Sequence, residues 1–104
     1  MPKGYVYMLE CSNGTIYTGS TIHLNERVED HFKGQGANHT KRYPPTKLIY
    51  VKEFDRIDKA FYREKQIQRW GKDKKLALAS RNFEKLKELA ECMNDSHWKS
   101  YVKE

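Results

Sequence analysis

The sequence predicts a small α/β fold: a three-stranded, mainly antiparallel sheet flanked by helices, in the order β-β-α-β-α-α-α. Three observations carry that reading. Residues 5–11 and 15–19 are rich in aromatic and β-branched types and are joined through Asn13-Gly14, a pair that favours tight hairpins. Residues 47–54 form a third segment of the same composition. Elsewhere apolar residues recur at intervals of three and four, the spacing of one helix face.

The elements follow in order. The hairpin pairs the first two strands. Counted outward from an ideal two-residue turn, Ser12 pairs with Thr15, Glu10 with Tyr17 and Met8 with Gly19. That count puts Tyr7 and Tyr17 on opposite faces, and a longer turn or a bulge would change it. Thr21 is a candidate cap for a helix starting near Ile22, with Leu24, Val28 and Phe32 as its apolar stripe and Gly34 as its stop. Residues 36–45 read as a polar loop. After the third strand, Asp55 or Asp58 caps a helix running to about Trp70, with Ala60, Phe61, Ile67 and Trp70 at apolar positions. Residues 72–79 give a short helix, and a last one begins at Asn82 with Phe83, Leu86, Leu89, Ala90 and Met93 at helical spacing. A single domain over residues 1–93, with a tail over 94–104, accounts for the whole chain.

Composition narrows the function. The chain has 104 residues and a formal net charge of +6, with a mean hydropathy of −0.96. A basic balance favours a polyanionic partner. The basic residues concentrate: residues 59–75 hold seven Lys or Arg against Glu64 and Asp73, interleaved with Phe61, Tyr62 and Trp70. No apolar run approaches the ~20 residues of a membrane span, and the N-terminus lacks a secretory apolar stretch, so a cytoplasmic protein is expected. Cys11 and Cys92 have no metal-ligand spacing and read as small buried apolar groups.

Some residues break the pattern. Glu64 lies four after Ala60 and three before Ile67, so helical geometry sets a carboxylate on the apolar stripe. A buried carboxylate is costly unless paired or bound to a cation. A salt bridge to a neighbouring Lys or Arg is one reading; a ligand for Mg²⁺ or Mn²⁺ in a cleft is the other. Arg27 and His31, four apart, flank the Leu24–Val28 stripe. They are either an exposed pair or a phosphate grip with a proton carrier. His23, His39 and His97 show no ligand spacing and read as surface residues.

Taken in order, Tyr5-Val6-Tyr7, Tyr17-Thr18-Gly19 ten residues later, then Arg27, His31 and a helical Glu64 resemble the GIY-YIG nuclease superfamily. The segment from Leu9 to Gly19, the loop Gly34-Gln35-Gly36-Ala37 with Thr40, and Phe61-Tyr62-Arg63-Glu64-Lys65-Gln66-Ile67 resemble its small standalone bacterial, Slx1-like subgroup. The resemblance covers about residues 4–80 and implies a divalent-metal-dependent endonuclease acting on DNA, branched, flapped or single-stranded, in repair or recombination. A DNA-binding module with little activity of its own, or one that needs a protein partner, is the alternative. The resemblance implies that Tyr7 and Tyr17 activate or orient the attacking water, that Arg27 holds the scissile phosphate, and that His31 takes a proton from Tyr7. It gives Glu64 one Mg²⁺ or Mn²⁺ and Gly19 a close backbone approach. Lys41, Arg42, Arg63, Lys65 and Arg69 are candidate DNA contacts. The chain departs from the pattern at three positions: Tyr5 replaces the first glycine, Ser20 follows the second motif where many members have Lys, and Leu76 occupies the expected asparagine position.

Overall fold

A computed structural model describes residues 1–81; the helix expected from Asn82, Cys92 and the tail lie outside them. Strands β1 (Gly4–Cys11) and β2 (Ile16–Thr21) form the hairpin. Helix α1 (Leu24–Phe32) and a short α2 (Asn38–Arg42) follow, then β3 (Pro45–Phe54), α3 (Ile57–Gln68) and α4 (Lys72–Arg81). The sheet is antiparallel throughout, in the order β2-β1-β3. Each predicted element over these residues is present in its predicted order. The difference is α2, five residues inside what reads as a loop, too short for any periodicity to show.

The central strand is buried on both faces because its apolar run has no polar alternation. Tyr7 and Leu9 pack with Leu24 and Val28 of α1 and with Leu48 and Val51. Val6 and Met8 pack with Ile16, Ala60 and Ile67 of α3, and Ala79 of α4. Helices therefore cover both faces, giving three layers and the flanked sheet that the sequence predicts. A bulge lies between Met8 and Leu9, opposite Tyr50 and Leu48. It leaves Ile49 and Tyr50 together in the α3-side core.

The turn corrects the predicted register. Cys11 N–H bonds Thr15 O at 2.9 Å and Gly14 N–H bonds Cys11 O at 2.9 Å, so the loop has three residues, with Gly14 at φ +83°. Tyr7 now pairs with Gly19, and Leu9 with Tyr17. Tyr7 and Tyr17 thus share one face as diagonal neighbours, the face covered by α1. The even-numbered groups of β2 point to its open edge, where Gln68 Nε2 donates to Thr18 O at 3.3 Å and Lys75 Nζ to Ile16 O at 3.3 Å.

Helix starts also differ from the predicted caps. Thr21 Oγ1 accepts the His23 N–H at 3.0 Å, and α1 begins after His23 without a side-chain cap. At α3 neither aspartate caps; Arg56 is the N-cap residue and the Ile57 N–H bonds Pro2 O at 2.9 Å. Phe61, predicted on the apolar stripe, is 52% exposed. The buried stripe of α3 is narrow: Ala60, Glu64 and Ile67.

Candidate active site

Tyr7 and His31 form the centre. Tyr7 is 1% exposed and His31 is fully buried. The Tyr7 hydroxyl lies 2.7 Å from His31 Nε2, and His31 Nδ1 lies 2.8 Å from Thr40 Oγ1. The Thr40 hydroxyl donates to Ala37 O at 3.0 Å. A hydroxyl has one proton, so Thr40 accepts from His31 Nδ1–H. His31 Nε2 then carries no proton and accepts from Tyr7. The chain Tyr7 → His31 → Thr40 → Ala37 O is thus fixed in direction by its last member.

The sequence suggested that His31 only flanks the buried stripe. It is buried because α2 folds over α1 and brings Thr40, also fully buried, against the imidazole. Two glycines make room. A Cβ on Gly19 would stand 2.5 Å from the Tyr7 oxygen, and one on Gly36 would collide with the His31 ring. The second tyrosine completes the cluster. The Tyr17 ring centroid is 6.4 Å from that of Tyr7 and 4.9 Å from that of His31. His39, read from sequence as a surface residue, is half-buried, 6.0 Å from the Tyr17 centroid, with Nε2 2.8 Å from Thr15 Oγ1.

Electrostatics favour neutral forms. Burial pushes the Tyr7 phenol far above its ordinary value, and the neighbouring Tyr17 adds to this. Burial also raises Tyr17. Arg27 lies close enough to both phenols to pull each back down, and the carboxylate of Glu64 close enough to raise both. Arg27 forms no ion pair with a carboxylate among the described residues, so its charge is available to an incoming anion. Burial, with Arg27 second, lowers His31 to about 4, against a small opposing effect of Asp30.

This last shift has a consequence for stability. His31 stays neutral in the fold, so below its ordinary value near 6.5 the unfolded chain takes up a proton that the folded chain refuses. The stability it contributes is complete above pH ~6.5 and is lost as the pH falls towards 4, on the order of 2–3 kcal/mol. Urea unfolding between pH 7 and 4 is expected to show this slope in the wild type, and a shallower one in His31→Gln. Equal slopes would mean that His31 is not held neutral.

Glu64 approaches from the α3 side. The sequence reading of a carboxylate on the buried face holds: Glu64 is 8% exposed. Its Oε1 accepts from Ser20 Oγ and its Oε2 from Gln68 Nε2. Lys65 Nζ is 3.7 Å from Oε2. Ser20 and Gln68 are neutral donors that steady the carboxylate without neutralising it. Each oxygen retains a lone-pair position, and one hard carboxylate suits a largely hydrated Mg²⁺ or Mn²⁺. Among the described residues no group of three acidic, His or Cys side chains gathers for a metal; Glu64 is the carboxylate that stands close enough to act on both phenols.

The other basic candidates separate. Lys41 and Arg42 are exposed on α2 and Arg69 is exposed just past α3. Arg63 turns the other way round α3 from Lys65, with its guanidinium 4.9 Å from the Trp70 centroid.

A family model described as the GIY-YIG catalytic domain matches residues 3–77. The chain belongs to the GIY-YIG family. Within it, the chain is 39% identical to a UPF0213 protein of Syntrophus aciditrophicus over 87 residues, 83% of this chain and all of that one. It is 39% identical to a UPF0213 protein of Staphylococcus saprophyticus over 80 residues, 77% of this chain and 98% of that one. The solution structure of UPF0213 protein BH0048 from Bacillus halodurans has a TM-score of 0.45 and 26% identity, over 94% of this chain and 93% of that one. GIY-YIG domains form a nuclease family. The matched span includes the paired strands β1 and β2, so the hairpin itself carries Tyr7 and Tyr17. Sequence reading missed the roles of Ser20, Gln68 and His39; Ser20 and His39 act across the fold and have no spacing signal, whereas Gln68, four residues after Glu64 on α3, had one in its helical spacing. The residues around Thr40 resemble the family, but its bond to His31 becomes visible only once α2 is in place. No helix among the described residues is long and apolar enough to cross a membrane.

Proposed function

We propose that this GIY-YIG domain is a Mg²⁺- or Mn²⁺-dependent endonuclease that hydrolyses DNA phosphodiester bonds. The observation that carries the reading is the buried Tyr7–His31–Thr40 chain beside Arg27, with the carboxylate of Glu64 felt by both tyrosines. Because Tyr7 directs its own proton to His31, its oxygen presents lone pairs to the attacking water. As the water gives up a proton to Tyr7, the Tyr7 proton passes to His31, and no free phenolate forms. His31 at about 4 is a weak base in the free protein. A phosphate paired with Arg27 offsets one of the charges that hold His31 low, so substrate binding itself raises the basicity of the relay. Arg27 grips the phosphate and stabilises its growing charge. Glu64 is the residue that would hold the ion, which when bound polarises the phosphate and stabilises the leaving oxygen. Lys41, Arg42, Lys65 and Arg69 supply backbone contacts.

The test is Mg²⁺-dependent nicking of branched and linear DNA by the wild type, Glu64→Ala and Arg27→Ala. Equal cutting by all three would trace the activity to a contaminant and end the proposal. Thr40→Val is expected to lower nicking about tenfold, since it frees His31 to adopt the wrong tautomer, and Thr40→Ser to restore it. Unchanged nicking in Thr40→Val would remove Thr40 from the relay.

One observation favours a second reading, a domain that needs a partner to cut. Leu76, at the position where the family pattern carries asparagine, packs against the α3-side core and brings no polar group. DNA binding without cutting, relieved by a second protein, would favour it.

A further inference from the structure

Two of the largest exposed apolar side chains sit next to each other on α3, close to Glu64. Phe61 is 52% exposed and Tyr62 is 68% exposed. Neither serves the core, and neither has a part in the relay. Phe61 and Lys65 are i, i+4 neighbours, on the flank of α3 that leads out from Glu64. Tyr62 and Arg69 lie further round, two turns apart. Lys65 Nζ is 4.8 Å from the Phe61 centroid and 3.7 Å from Glu64 Oε2. One ammonium group therefore stands between an exposed ring and the candidate ion-holding carboxylate. Asp58, the acidic residue of this face, is paired with Arg56 at 3.0 Å.

We propose that Phe61 and Tyr62, with Lys65 and Arg69, form a stacking platform for unpaired nucleobases next to the scissile phosphate. This rests on the hydrolytic reading for its position but adds a separate site. The chemistry selects the occupant. Exposed rings flanked by cations match a strand that offers a flat π-face and a phosphate in each unit. A duplex hides its base faces in the stack and shows only edges and backbone. The rings are thus wasted on paired DNA and useful on a strand whose bases are free. Lys65 and Arg69 take the phosphates while the rings take the bases. The platform gives the domain a preference for an unpaired segment beside the bond to be cut.

The test measures binding, not cleavage, and uses the full chain. Affinities for a labelled oligothymidylate, an abasic strand of equal length and a hairpin duplex are compared by fluorescence anisotropy without divalent metal. Phe61→Ala with Tyr62→Ala is expected to weaken thymidylate binding about tenfold or more and duplex binding less than about twofold. The wild type should bind the abasic strand about as weakly as the double variant binds thymidylate. Phe61→Trp should retain binding, whereas Phe61→Leu, apolar without a π-face, should not. Equal losses on strand and duplex, or no loss on either, would overturn the platform, and the second result would hand the rings to a protein surface. Nicking by the wild type but not by Glu64→Ala, with thymidylate affinity unmoved in the ring variants, would overturn the platform alone. Loss of the hydrolytic reading would instead appear as Glu64-independent cutting, which these affinities do not affect.

Discussion

Glu64→Ala is expected to lower Mg²⁺-dependent nicking by at least about a thousandfold while leaving the fold nearly intact. The two consequences separate because of what surrounds the carboxylate. Its partners, Ser20 and Gln68, are half-buried and exposed respectively, so both recover water when the carboxylate is removed. The loss in stability is then about 1 kcal/mol. The loss in activity is much larger, because on the proposed reading Glu64 holds the ion. Arg27→Ala should cost about a hundredfold and also weaken DNA binding, since Arg27 is the cation that lacks a carboxylate partner beside the phenols. A thermal melt and a nicking assay on the same preparations check both. Retention of more than about a tenth of the activity in Glu64→Ala, against the loss expected for an essential charged group, would refute the metal assignment.

Gly19→Ala is the second large effect, and it should act on stability and activity together. The new methyl carbon would stand 2.5 Å from the Tyr7 oxygen and 2.6 Å from its Cζ. Tyr7 cannot swing aside cheaply, because its ring is buried and its hydroxyl is bonded to His31. Overpacking of this kind costs about 1–3 kcal/mol, and loss of the Tyr7–His31 bond about 1 kcal/mol more. A displacement of the Tyr7 oxygen by an ångström is expected to reduce nicking by about a hundredfold. Gly71→Ala is the control, since a Cβ there meets nothing within 4 Å, and it should be near neutral on both counts. If Gly19→Ala melts and nicks like Gly71→Ala, the Tyr7 ring does not lie over Gly19.

What the sequence revealed depended on whether the deciding contact was local. Glu64 was legible because one helix supplies its whole context: Ala60 and Ile67 define the stripe, and the carboxylate interrupts it. The three strands were legible from composition. The convergence of Tyr7 and Tyr17 was not, because Asn13-Gly14 fits a two-residue turn as readily as the three-residue turn that forms, and one residue of register moves every side chain of β2 to the other face. His31 was misjudged for a different reason. Its neighbours on α1 allow either exposure or burial, and the choice falls to α2, whose five residues carry no period. Phe61 erred the other way. Spacing alone admits it to the stripe, but the sheet is narrow enough that α3 buries only Ala60, Glu64 and Ile67.

Gln68 has a second consequence, outside the chemistry of Glu64. Strand β2 is an edge, and the outward carbonyls of Ile16 and Thr18 form the kind of open ladder on which another chain can add a strand. Lys75 and Gln68 occupy those two carbonyls. The hairpin that carries the tyrosines therefore has two of its outward acceptors covered, and one amide side chain both steadies the candidate site and blunts the edge beside it.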